Sequence, residues 1–331
     1  MNNSSHIIGI GHHVPTRIIQ NSYFEQFMDT SNDWIKERTG IEERRFAENN
    51  EGPSDIAIPA VQMALDNANL TTDDIDFIIF STSTPDYYVP GSGCLIQEKM
   101  NFKTIGTLDI RCQCSGFIYA LSIADQYIKT NTYKNILIIT SEVQSTAMDL
   151  SNDGRDTAII FADGAAATII SSTNQNNGIL STHLHTEGKY AKELWVEAPS
   201  SKQKDRFAPS VLKAKKQFLH MNGREVFKHA VKRFPEVIIE ALDHNKLSIK
   251  DIDFLIPHQA NVRISHMVRK KLNLNNNQII SNIHKYGNTT SASIPIALSE
   301  TVIDNKLKKG DILVLAAFGS GFSWGSAILK W

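Results

Sequence analysis

The sequence predicts a layered α/β architecture built from two related halves, and three observations carry that prediction. Asp74-Ile75-Asp76-Phe77-Ile78-Ile79 reads almost like Asp251-Ile252-Asp253-Phe254-Leu255-Ile256, at an offset of 253 minus 76, or 177. Asn135-Ile136-Leu137-Ile138-Ile139 returns as Asp311-Ile312-Leu313-Val314-Leu315, at 312 minus 136, or 176. Between these short apolar runs, both halves carry stretches of helical periodicity. Two echoes at nearly one offset imply duplication, and alternation of strand and helix implies stacked layers of sheet and helix.

Each echoed segment is a short apolar run preceded by polar turn residues, the pattern of a strand buried on both faces of a mostly parallel sheet. Along the chain, residues 56–69 read as a helix with Ile56, Ala60, Ala64 and Leu65 on one face. Thr107-Leu108-Asp109-Ile110 reads as a strand, and 117–128 as a helix apolar on most sides, hence buried. Residues 187–216 break the pattern with Trp195, Pro199, Pro209 and a cluster of Lys and Arg. A long ordered excursion of this kind often carries function, and a solvated surface loop is its plain alternative. Helices follow over 226–242 and 261–272, and 322–329 reads as a final strand.

A chain of 331 residues suggests two domains, set at 1–175 and 176–331 by the echo. Lys+Arg 34 against Asp+Glu 35 leaves no basic footprint for nucleic acid, and 41% hydrophobic residues exclude a disordered chain. The three cysteines are Cys94, Cys112 and Cys114, and the last two are too close for an ordinary bridge. No basic-then-apolar leader is legible at the N-terminus, and no apolar run reaches the ~18 residues of a membrane span. The expected compartment is the reducing cytoplasm, with no membrane insertion.

Gly319-Ser320-Gly321 resembles the opening of a dinucleotide fingerprint but precedes a strand rather than the helix such a motif needs. His12-His13 and the pair His183 and His185 lack acidic or thiolate companions in the sequence, so no metal is expected. Cys114 differs, because it follows a strand and immediately precedes the buried helix. Unpaired N–H groups and the positive end of the helix dipole can lower a thiol pKa from about 8.5 to roughly 3.5–7.5. That placement suits a nucleophile. His258 lies just beyond the echoed strand of the second half, and Asn288 precedes another helix. All three stand at junctions into helices, where open α/β sheets gather ligands. Singly each is as well explained by structure; together they favour catalysis.

These residues sit in motifs that resemble the β-ketoacyl-acyl-carrier-protein synthase III family, condensing enzymes of the thiolase superfamily. The resemblance runs through Thr30-Ser31-Asn32-Asp33-Trp34-Ile35, Arg38-Thr39-Gly40-Ile41, Cys114-Ser115-Gly116-Phe117 and Gly154-Arg155-Asp156. It continues through Met221-Asn222-Gly223-Arg224, Pro257-His258-Gln259-Ala260-Asn261, Tyr286-Gly287-Asn288-Thr289 and Phe318-Gly319-Ser320-Gly321. It implies a thiolase-like duplicated five-layer α-β-α-β-α fold with mixed sheets, acting as a homodimer. The implied reaction is decarboxylative condensation of an acyl group, taken from acyl-CoA and held on Cys114, with malonyl-acyl-carrier protein. The resemblance further implies catalysis by Cys114, His258 and Asn288, and an oxyanion hole from the backbone N–H groups of Cys114 and Ser320. It assigns CoA and acyl binding to Thr30, Trp34, Arg38, Arg155, Gly223, Asn261, Phe318 and Val89, and carrier-protein docking to Lys228 and Arg263. CoA enters as a substrate thioester, and no cofactor is expected.

Two departures bear on substrate. Arg111-Cys112-Gln113 is larger and more polar than the small residues usual before this nucleophile. Val89 stands where a bulky aromatic of the partner subunit often closes the acyl pocket, so longer or branched acyl groups gain room. Alternatives are a related ketosynthase or acyltransferase of secondary metabolism using a longer or β-keto acyl substrate, and a Cys-His-Asn thioester hydrolase of papain-like composition.

Overall fold

Burying consecutive apolar residues obliges the backbone to hydrogen-bond on both sides, and the echoed segments do so as inner strands of two sheets. The computed structural model describes residues 4–173 and 177–331. The first sheet runs in the order Ser4–His13, Gly164–Thr173, Asn135–Glu142, Phe77–Ser81, Gly106–Ile110. The second runs Gly178–Thr186, Ser323–Lys330, Ile312–Gly319, Phe254–Pro257, and a parallel bridge from Leu255 to Ile279 stands where the first sheet has its fifth strand. In both sheets the first two pairs in these orders are antiparallel and the remaining ones parallel, so the sheets are mixed and share one strand order.

The echoed aspartates explain why the motif recurs. Asp74 accepts from the Thr71 N–H at 2.8 Å, and Asp251 accepts from the Ser248 N–H at 2.7 Å, each capping a short turn. Two residues later Asp76 accepts from the Asn135 N–H at 2.9 Å, and Asp253 from the Ile312 N–H at 2.8 Å. Each half thus uses one carboxylate to shape the turn and a second to pin the start of the neighbouring parallel strand.

Side-chain alternation along the strands then sets the layers. Ile79, Ile138, Leu313 and Leu315 point between the sheets, where the helices Gly116–Lys129 and Ser293–Ile303 form the central layer. Ile78, Leu137 and Ile139 point outward against the helix Pro53–Ala68. Leu255, Val314 and Ala316 point outward against Gly223–His244 and Val262–Lys271. The result is helix, sheet, helix, sheet, helix, five layers in all.

The predicted helices are present with adjusted ends. The stretch expected at 261–272 starts one residue later because Asn261 serves as its N-cap, accepting from the Arg263 N–H at 2.8 Å. The one expected at 226–242 begins at Gly223 behind the Asn222 cap. The 187–216 excursion is ordered rather than a plain solvated loop. It contains the strand Leu194–Val196, which pairs antiparallel with Leu219–Met221, and the short helix Pro209–Lys213. Among the described residues no helix is long and apolar enough to cross a membrane.

Candidate active site

Strands that end in the same plane deliver their following residues to one place, and here three such ends converge with one isolated bridge. Cys114 follows Gly106–Ile110 through a turn in which Gln113 adopts φ 42, and the helix Gly116–Lys129 starts two residues later. His258 follows Phe254–Pro257, and Gly319 ends Ile312–Gly319. Asn288 is stitched beside Phe161 by a parallel bridge. Cys114, His258, Asn288, Phe318 and Gly319 line one cavity of about 140 Å³ whose remaining walls are mostly apolar.

The thiol departs from the sequence-based expectation. Burial pushes Cys114 up to about 12, the Glu142 carboxylate adds to the rise, and the backbone N–H groups of Cys114 and Ser320 pull the other way. Desolvation and a like charge therefore outweigh the helix terminus that the sequence made visible. The sulfur rests as S–H, facing the same two N–H groups. Gly319 lies against it so closely that an added Cβ would stand 2.6 Å from the Cys114 Cβ and 3.0 Å from its Sγ.

His258 is buried, which lowers its pKa to about 3 and keeps the imidazole neutral at ordinary pH. Its Nδ1 meets the Ser293 hydroxyl at 2.6 Å, while its Nε2 is buried without a partner. A hydroxyl donating to Nδ1 places the ring proton on Nε2, the atom left free in the cavity. The Oδ1 of Asn288 accepts from the Thr290 N–H at 2.8 Å, leaving its Nδ2 as the side chain's donor. A buried, unpartnered donor beside a thiol is ready to receive negative charge that develops on a bound carbonyl oxygen.

Outside the cavity lining, Trp34 of the helix Asn32–Thr39 carries Arg38 at 4.3 Å and Arg155 at 4.7 Å from its ring centroid. Asn261 ties this region to the cavity, because its Nδ2 donates to the Arg38 carbonyl at 2.9 Å. Gly223 and Asn261 also line the cavity, and the Thr30 hydroxyl is buried nearby in sequence without a partner. The Ser320 hydroxyl donates to the Leu194 carbonyl, and its backbone N–H faces Cys114. Val89 is not brought to this cavity; it is 78% exposed. Lys228 and Arg263 are exposed on the two outer helices of the second half, and Lys228 also pairs with Glu225 at 3.3 Å.

Sequence reasoning missed Leu194, Met221 and Phe227, which line the cavity. Phe227 belonged to a periodic helix whose apolar face the pattern could not divide between core and cavity. Leu194 lay in the excursion, where no periodicity marks it. Sequence reasoning also missed that Glu240 meets His183 at 3.4 Å and His185 at 2.6 Å from the packed helix. Among the described residues these three are not arranged as a group that could hold a metal ion.

Comparison with known proteins bears on what this geometry is for. Residues 108–188 match the family described as 3-Oxoacyl-[acyl-carrier-protein (ACP)] synthase III, and residues 242–331 match its C-terminal part. The β-ketoacyl-[acyl-carrier-protein] synthase III of Clostridioides difficile is 42% identical over 331 residues, covering 100% of this chain and 99% of its own. The crystal structure of 3-oxoacyl-[acyl-carrier-protein] synthase III from Aquifex aeolicus superposes with a TM-score of 0.90 at 38% identity, over 99% of this chain and 100% of that one. The priming β-ketosynthase of the R1128 polyketide pathway superposes with a TM-score of 0.91 at 28% identity, over 99% and 97%. With its duplicated five-layer thiolase-like fold, this chain belongs to the β-ketoacyl-acyl-carrier-protein synthase III family of condensing acyltransferases.

Proposed function

We propose that the protein starts fatty-acid synthesis by condensing an acyl group, held on Cys114, with malonyl-acyl-carrier protein to give a 3-oxoacyl-acyl-carrier protein and carbon dioxide. The observation that carries the residue assignment is the shared cavity, with a buried thiol, a neutral histidine whose Nε2 is free, and an asparagine amide. In the first half-reaction the Cys114 sulfur bonds to the acyl carbon of acyl-CoA, the bond to the CoA sulfur breaks, and the thiol proton ends on the departing CoA thiol. The N–H groups of Cys114 and Ser320 hold the oxyanion of each tetrahedral intermediate. In the second, His258 Nε2 and Asn288 Nδ2 donate to the malonyl thioester carbonyl as carbon dioxide leaves. The resulting carbanion attacks the acyl carbon, and the Cys114 thiolate is expelled and reprotonated. Splitting the condensation this way replaces one difficult step by two easier ones.

Trp34, Arg38 and Arg155 receive the adenine and phosphates of CoA, with Thr30 beside them, and the pantetheine arm passes Gly223, Asn261 and Phe318. Lys228 and Arg263 meet the acidic carrier protein. A homodimer is supported by the edge strand Gly106–Ile110, which pairs on one side only, and by the adjoining exposed Tyr87, Tyr88 and Val89. Val89 then reaches the partner's acyl pocket, and its small side chain favours the longer-acyl variant of the reaction. In this reading 1–175 and 176–331 are the two halves, and the enzyme works in the cytoplasm without a metal.

The test is intact mass of the protein after acyl-CoAs of graded length and then malonyl-acyl-carrier protein. Cys114 is expected to gain and then lose the acyl mass, on a species with the solution mass of two chains. Absence of acylation with every donor overturns the reading, and turnover of acyl-CoA without malonyl acceptor would mark a hydrolase. In the same assay Gly319→Ala, whose methyl meets the sulfur, is expected to slow acylation about 10²-fold, the scale of a 1 Å misplacement at a reacting centre.

A further inference from the structure

The duplication extends into the active site and builds its nucleophile turn twice. Gln113–Ser115 and Thr290–Ala292 are both single 3₁₀ turns leading straight into the central helices, at 290 minus 113, or 177. Gln113 has φ 42 and Thr290 has φ 47, so both turns open on a side-chain-bearing residue in the left-handed region. Ser291 is thus the counterpart of Cys114. The same offset makes Glu142, at the end of Asn135–Glu142, the counterpart of Gly319 at the end of Ile312–Gly319 (319 minus 142). Where Gly319 leaves the sulfur accessible, Glu142 fills the space over Ser291.

The second turn is closed by hydrogen bonds. Ser291 Oγ donates to Glu142 Oε1 at 2.8 Å. The other carboxylate oxygen accepts from the Ser83 N–H at 3.1 Å, the Ser83 hydroxyl at 2.7 Å, the Thr84 hydroxyl at 3.1 Å and Gln144 Nε2 at 3.2 Å. The carboxylate is fully buried, and both of its oxygens are satisfied by neutral donors. The turn it closes is a strained one, since a β-branched residue at positive φ persists only where its surroundings fix it. Thr290 also donates the N–H that orients Asn288, and Ser293 carries the hydroxyl behind His258. We propose that Glu142 is a positioning residue that, by closing the Ser291 turn, holds Asn288 and Ser293 in register with Cys114.

The carboxylate has a second consequence. Cys114 is faced by Glu142 from the first sheet, by the neutral His258 and the Asn288 amide from the second half, and by the N–H groups of Cys114 and Ser320. Glu142 is the charged group acting on the sulfur, and it opposes formation of a thiolate before an acyl donor arrives. This inference rests on the proposed function for its readout of decarboxylation, whereas alkylation of Cys114 needs no substrate and tests Glu142 even if that function fails.

The experiment follows iodoacetamide alkylation of Cys114 against pH by peptide mass mapping, together with malonyl decarboxylation, in the full-length protein. Glu142→Gln keeps the shape and removes the charge, so its alkylation profile is expected to move to lower pH by about one unit, tenfold in rate at a fixed pH on the rising limb. Ser291→Ala keeps the charge and cuts the link. Its alkylation profile is expected to match the unmodified protein while decarboxylation falls about tenfold with acylation retained, the scale of one lost buried hydrogen bond. Coincident alkylation profiles for Glu142→Gln and the unmodified protein overturn the electrostatic part. Unchanged decarboxylation in Ser291→Ala overturns the positioning role, and this arm stands even if Glu142→Gln fails to fold.

Discussion

Cys114→Ser is expected to accumulate no acyl-enzyme, a loss of about 10³ or more in the rate of acyl transfer. The substitution removes one property, the ability of sulfur to carry the acyl group as an exchangeable thioester. A serine oxygen at this position meets the same burial and the same Glu142 charge, yet is a far weaker acid than a thiol that is itself pushed up to about 12. The donors meant for the oxyanion are backbone N–H groups, so they survive the change. Malonyl decarboxylation depends on His258 and Asn288 and is therefore expected to persist in this variant. Mass spectrometry after acyl-CoA and release of labelled carbon dioxide from malonyl-acyl-carrier protein separate the two steps. An acylated Cys114→Ser protein would remove the sulfur from the mechanism.

The parts of the fold legible in the sequence were those where one residue type does one local job. The Asp-x-Asp-Phe echo was visible because its carboxylates cap a turn and pin a strand start within each half. The second nucleophile turn was not, although it keeps the same offset. Gln113-Cys114-Ser115-Gly116 and Thr290-Ser291-Ala292-Ser293 preserve backbone geometry, not side chains, so the matched 3₁₀ turns and φ angles reveal the kinship.

The candidate site divides in the same way. Cys114, His258 and Asn288 could be picked out because each stands at a junction into a helix, and the structure brings all three to one cavity. The state of the thiol could not be read. A helix N-terminus is a local feature, whereas the carboxylate that opposes it arrives on another strand. Leu194 was hidden for a related reason: its short strand is defined by pairing with Leu219–Met221 across the excursion, and three residues carry no period.

His258→Ala is expected to remain acylated by acyl-CoA while losing malonyl decarboxylation by about 10² to 10³, the cost of one oxyanion donor. The argument turns on protonation. With its pKa lowered to about 3, the imidazole donates from Nε2 as a neutral group across the working range. Between pH 7.5 and 5.5 decarboxylation should therefore show no inflection from His258, because the imidazole does not change charge there as an ordinary histidine near 6.5 would. The same burial has a stability consequence of definite sign. The unfolded chain takes up the His258 proton below about 6.5 and the folded protein only near 3, so acid favours unfolding across that window by up to about 1.4 kcal/mol per pH unit. His258→Ala removes that term, so its unfolding midpoint in denaturant should fall less steeply from pH 6.5 to 4.5 than that of the unmodified protein. A variant that lost decarboxylation but kept the full acid slope would show that another buried group supplies the pH dependence. A variant that decarboxylated normally would take His258 out of the reaction, leaving Asn288 Nδ2 as the side-chain donor to the malonyl carbonyl.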